Sequence, residues 1–362
     1  MKRLKRSRRI SYFFLFCLLL FAISAFLYAI SMISPAFADR IDAVVGQNLR
    51  RILAAITSPV PFSVGEVLLV LLPGAFCLVF LLLFRRTGNA SRVFLHSLGI
   101  VLLVFSMFLS VLGVSYRKTT LDGRMGITRA PVRSEELLST AELLLSMASA
   151  ELDGISFGED GSSVMPYDLD TLSLCLTDAY ARLEEDTGLV ENFPSKIKGV
   201  ALSVPMSYAH LLGIYFFFTG EANINMDYPD VERPSTAAHE LAHQRGIARE
   251  DEANFVAFLV SRYSDDPYVR YAGALDLYRH VASALYRADP ECYFTLFDGM
   301  DERIRGELSA LSAHQKKYSG NRLGEISSTL NDAYLKVNGT QGEQSYGLVV
   351  DLAVAYFKQN TP

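Results

Sequence analysis

Apolar and polar positions divide the chain into two kinds of stretch. Three runs are apolar almost without interruption and long enough to cross a bilayer, which takes about 20 apolar residues per helix. They cover about 12–33, which holds no charge, about 67–84, where Pro73-Gly74 predicts a kink, and about 94–114, with His96 near one end. Beyond them the pattern turns mixed. Residues 117–133 form a connector rich in turn and charged residues, and Ser134, followed by Glu135 and Glu136, predicts a helix start. Residues 154–166, full of Gly, Asp and Ser, read as a loop, and a further helix is expected over about 168–185. The β-rich runs 197–204, 212–218 and 222–226, punctuated by Pro205 and Gly220, predict a small sheet. After Pro234 the pattern is helical almost to the end. Strands gathered before a run of helices argue an α+β domain behind three transmembrane helices.

Charge sharpens that division. Of 34 Lys/Arg and 39 Asp/Glu, 12 and 3 fall in residues 1–116, leaving 22 and 36 for residues 117–362. A membrane domain, 1–116, therefore precedes an acidic domain, 117–362. Within the latter we place an active-site core at about 194–262 and a helical C-terminal part at 263–362. Lys2, Arg3, Lys5, Arg6, Arg8 and Arg9 precede the first span, and Arg85, Arg86 and Arg92 separate the second from the third. Positive charge gathers on the cytoplasmic side. The N-terminus is thus expected inside a multi-pass cell membrane protein and residues 117–362 outside the cytoplasm. Ala36-Phe37-Ala38 has the form of a signal-peptidase site, but the apolar run before it is longer than such cores usually are, so a retained anchor is expected. The acidic outer part would repel phosphate, which argues against a nucleic-acid partner. Cys175 and Cys292 leave either one disulfide or two free thiols open, and the lack of a CxxC pair excludes cysteine-rich zinc ribbons.

One stretch carries chemistry. His239-Glu240-Leu241-Ala242-His243 is an HExxH motif. On a helix, two histidines four apart share a face, and their imidazoles can reach one Zn²⁺ at about 2.0–2.1 Å. Glu240, beside the first, is placed to take a proton from a zinc-polarised water. Ser235 or Thr236 can cap this helix just after Pro234, and Gly246 can stop it. A catalytic zinc site usually adds a third protein ligand. Glu250 or Glu252 could supply it. Glu250 shares a helix face with Ala253, Asn254 and Ala257, whose small side chains allow close approach, and Asn254 could then hydrogen-bond a ligand histidine.

These residues bring a resemblance with them. The stretch from about Pro194 to Leu259 includes Gly220-Glu221-Ala222-Asn223-Ile224-Asn225, HELAHQRG from His239 and EDEANF from Glu250. It resembles an uncharacterised family of bacterial membrane proteins, known as a domain of unknown function and grouped with the zincin metallopeptidases. Pairing HExxH with a downstream ExxA(N/D) helix is also similar to gluzincins, and carried over, that motif selects Glu250. The seven residues from His243 to Glu250 depart from the longer insertions of many gluzincins. The resemblance implies a zincin-like metallopeptidase fold with one zinc per chain and a protein or peptide substrate. It further implies an edge strand along the cleft, for which Ala222, Asn223, Ile224 and Asn225 are the candidates, and an oxyanion donor, for which Tyr346, His210 and His280 are candidates.

Three other readings compete. Gly154-Ile-Ser156-Phe-Gly158 matches GxSxG, but a helix precedes it and a loop follows, the reverse of a nucleophile elbow. A transporter would need ionisable residues deep in its spans, and these have none. A catalytically silent zincin-fold binding or sensor module would not need Glu240.

Overall fold

The structure, a computed structural model, describes residues 12–87, 90–342 and 347–360. The basic N-terminal residues and Tyr346 lie outside them. Helices dominate: α1 (Tyr12–Ser31), α2 (Pro35–Ile41), α3 (Gln47–Thr57), α4 (Val64–Thr87) and α5 (Ala90–Phe108) come first. They are followed by α6 (Leu121–Met125), α7 (Ser134–Glu151) and α8 (Leu169–Thr187) around a hairpin of β1 (Ser156–Phe157) and β2 (Ser163–Val164). A sheet of β3 (Ile197–Val200), β4 (Gly213–Phe216) and β5 (Glu221–Asn225) is interrupted by α9 (Ser203–Tyr208). The chain closes with α10 (Glu232–Gln244), α11 (Glu250–Arg262), α12 (Pro267–Ala288), α13 (Pro290–Asp298), α14 (Glu302–Lys317), α15 (Arg322–Val337) and α16 (Leu348–Asn360).

Three helices are long and apolar enough to cross a membrane: α1, α4, and α5 with its continuation to Arg117. They mark the chain as membrane-associated. α4 runs through Pro73 without interruption. The link between the first two is no plain loop. There a π-helical turn at Asp42–Gly46 faces a second one at Leu109–Gly113, the continuation of α5. Such turns free a carbonyl from the helical ladder, and fully buried Arg50 takes up Val111 O at 2.6 Å while pairing with Asp42 at 2.8 Å.

The sheet order is β3-β5-β4, with β5 parallel to β3 and antiparallel to β4. β5 is therefore central, with both sides paired, and every one of its residues is buried. Ala222, Asn223, Ile224 and Asn225 cannot receive a substrate strand. That expectation is corrected: the edge strands are β3 and β4, and β4 is the one that packs beside α10. The strand expected over 197–204 ends at Val200, because Ser203–Tyr208 turns into α9. The largest apolar core gathers α7, α8, α10, α11, α12 and α16 beneath the sheet. Cys175 and Cys292 are free, and Ser156 sits on the two-residue β1, not on a strand-to-helix elbow.

Candidate metal centre

α10 begins at Glu232, not after Pro234, so Pro234 lies in the first turn, where its missing N–H costs nothing. Ser235 and Thr236 are consequently interior positions rather than caps. Glu232 is ion-paired with Arg279 of α12, and Tyr180 of α8 donates to Ala238 O at 2.6 Å. The start and the middle of α10 are thus fixed. Gly246 stops the helix in the left-handed region, at φ +87°, and a Cβ there would fall 2.3 Å from Arg50 Nη2. Glycine is required on both counts. The turn continues through Ile247, whose N–H bonds Ala242 O at 3.0 Å and whose carbonyl accepts from His243 Nδ1 at 2.7 Å. One short loop therefore orients His243 and delivers Glu250 at the head of α11.

His239, His243 and Glu250 meet. Their donor atoms lie within 4.8 Å of one another and could hold a metal ion. Glu250 stands 3.2 Å from His239 Nε2 and 3.7 Å from His243 Nε2. Tetrahedral ligands about 2.0–2.1 Å from a zinc ion would be about 3.3 Å apart, so the donor set fits such an ion. Because Ile247 O holds the Nδ1 proton of His243, its Nε2 is the nitrogen left to coordinate. Burial alone would lower the His243 pKa, but the facing Glu250 outweighs it and lifts the pKa to about 9. Burial would raise Glu250, yet both histidines hold it well below the usual carboxylate range.

Glu240 differs. Burial pushes its carboxyl up to about 6 against the pull of His239 and His243. Among the described residues no donor hydrogen-bonds it. Its Oε1 packs against Gly213 at the start of β4, where a Cβ would come within 2.6 Å. Glu252 is turned away: its carboxylate accepts from Leu121 N at 2.9 Å, which removes it as a metal ligand. Asn254 lines the same cavity but bonds neither histidine; Ile247 has the place expected for it, and His239 Nδ1 is buried without a partner among the described residues.

The cluster opens on a cavity of about 750 Å³. His210 and His280 line it, as does Tyr334 of α15, which the sequence did not single out. Tyr334 accepts a hydrogen bond from Tyr116 at 3.3 Å, and burial raises its hydroxyl to about 12, which keeps it protonated. Along β4, Leu212 O accepts from Asn225 N, so in this register Gly213 and Tyr215 turn their backbone N–H and C=O to the free edge.

These elements define a membrane-associated, mostly helical protein with a partly buried His-His-Glu cluster at a cavity beside its apolar helices. The family model described as "Protein of unknown function (DUF3810)" matches residues 44–354, and the chain belongs to that family. No curated protein and no solved structure matches it.

Proposed function

We propose that the protein is a membrane-bound, zincin-like, zinc-dependent metallopeptidase that hydrolyses peptide bonds outside the cytoplasm. One observation carries the reading: the uncommitted Glu240 carboxylate opens on the same cavity as the convergent His239, His243 and Glu250 donors. A zinc ion there would supply Lewis acidity and bring the pKa of an adjacent water towards about 7. Glu240 takes the proton as the water oxygen adds to the scissile carbonyl. It then passes that proton to the amine nitrogen as the C–N bond breaks. Gly213 and Tyr215 offer backbone groups to an extended substrate. Tyr334 presents a hydroxyl to the oxygen on which charge develops. The Arg85, Arg86 and Arg92 cluster between the second and third spans supports an outward-facing site.

The test is zinc content, by elemental mass spectrometry, of the purified full-length chain. About one zinc per chain, lost in His239→Ala, is the expected result. A folded protein never exposed to chelator and carrying no zinc would sink the reading.

A further inference from the structure

The cavity has two ends of opposite chemistry. At one stand the donor cluster and Glu240. At the other stand Leu69 of α4, Phe108 at the end of α5 and Leu112 just beyond it. Leu69 lies three residues past Glu66, whose carboxylate accepts from Ala201 N and Leu202 N at 3.0 and 2.6 Å. At 1.5 Å per residue it stands about 4–5 Å deeper along the span. Phe217, just after β4, packs edge-on against Phe108 with ring centroids 5.5 Å apart. The Phe216 ring lies so close to Gly65 of α4 that a Cβ there would meet it at 2.2 Å. The proposed catalytic groups and the flank of two membrane helices thus line one continuous space.

The spans do not close that space evenly. α5 seals against α1: Ser24 and Ser110 hydroxyls meet at 3.0 Å, and Phe13 stacks on His96 at 5.7 Å. α4 touches α5 too, yet none of its described side chains is buried. Its apolar surface beside Phe108 is left open sideways.

We propose that the occupant is a membrane-anchored polypeptide. Its transmembrane helix lies against α4 and α5, and its extended stretch leaving the bilayer runs along β4 to His239, His243 and Glu250. This rests on the peptidase reading for the cut itself. The free edge at Gly213 and Tyr215 complements a peptide backbone and offers nothing to an acyl chain. A lipid phosphate would meet Glu232, Glu240, Glu250 and Asp276, while the one Lys or Arg among the described lining residues, Arg279, is already paired with Glu232 and Asp276. An apolar helix continuous with a peptide fits both ends.

The experiment uses the full-length chain in phospholipid vesicles. The Glu240→Ala protein also carries Leu69→p-benzoylphenylalanine as a photo-crosslinker. Two probes share one randomised peptide segment, and only one carries a helix of about 20 Leu and Ala residues. The anchored probe is expected to label position 69 at least about tenfold more than the free one. Equal labelling, or none, overturns the inference. Cleavage of both probes by the chain with Glu240 intact is read separately. Selective labelling without cleavage would keep the membrane-side entry and sink the peptidase reading. Cleavage of both probes at equal rates would do the opposite.

Discussion

Lys118 Nζ donates to Gly246 O at 3.2 Å while pairing with Asp42 at 2.7 Å. The residue that follows the third span therefore holds the turn three positions past His243. Arg50 completes the cluster from α3, buried against Asp42, Val111 O and the space a side chain at Gly246 would need. The apolar-helix part is thus built into the foundation of the His-His-Glu cluster.

Arg50→Ala breaks the buried pair with Asp42, leaving Val111 O without its partner and Asp42 with Lys118 and Ser115 alone. Breaking such a pair costs about 3–5 kcal/mol, so the full-length protein should melt markedly lower in detergent. A melting temperature within error of the unsubstituted protein would show that the network is dispensable. For the same reason a fragment beginning at residue 117 should fold poorly, since it also loses the Val64 and Gly65 N–H groups that bond the buried Glu221 carboxylate at 2.9 and 2.6 Å.

His243→Ala and Glu250→Ala should each abolish zinc retention, whereas Glu240→Ala should keep zinc and lower kcat by about 10²–10⁴. Metal analysis and peptide hydrolysis on the same preparations separate the two outcomes. Glu252→Gln should retain zinc, because that carboxylate serves Leu121. Zinc loss in Glu252→Gln but not in Glu250→Ala would reverse the assignment.

In the metal-free protein His243, lifted to about 9 by Glu250, carries a proton at neutral pH. A zinc ion bound as proposed would have to displace it. Uptake should therefore release a proton at any pH below about 9, and affinity should weaken as pH falls below that value. Calorimetric titrations in buffers of different ionisation enthalpy measure this directly. For the stability of the metal-free protein the sign is opposite: a raised histidine pKa stabilises fully below about 6.5, and that contribution disappears as pH rises through about 9.

Gly213→Ala puts a methyl group 2.6 Å from Glu240 Oε1 and 2.7 Å from Thr236 Cγ2. The carboxylate has to move, and kcat should drop about tenfold or more while zinc stays bound. Unchanged turnover would mean that Glu240 is not held against β4 during the reaction.

Tyr334→Phe should lower kcat by about 10²-fold with little change in KM, if its hydroxyl steadies the developing oxyanion. An equal loss in Tyr116→Phe and none in Tyr334→Phe would transfer the role to its neighbour.

What could be read from the chain was local. Uninterrupted apolar runs gave the membrane helices, and i, i+4 spacing placed His239 and His243 on one face. The face shared with Ala253 and Asn254 selected Glu250 over Glu252, and it is Glu250 that meets the two histidines. The sheet was harder. Glu221–Asn225 alternates polar and apolar residues as a half-exposed strand would, yet all five are buried, and its central place depends on α9 carrying the chain round to β4. Asp42 and Arg50 carry no short-range signal of their pairing, because it depends on two π-helical turns facing each other. Tyr334 reaches the cavity only through the packing of α15, which no short-range pattern encodes.

The clamps at Glu66, Glu221 and Lys118 tie the proposed catalytic groups to the spans at a set height. A scissile bond would then be chosen by its height above the lipid, as by a caliper, and substrates of unrelated sequence would be trimmed to one common stub length.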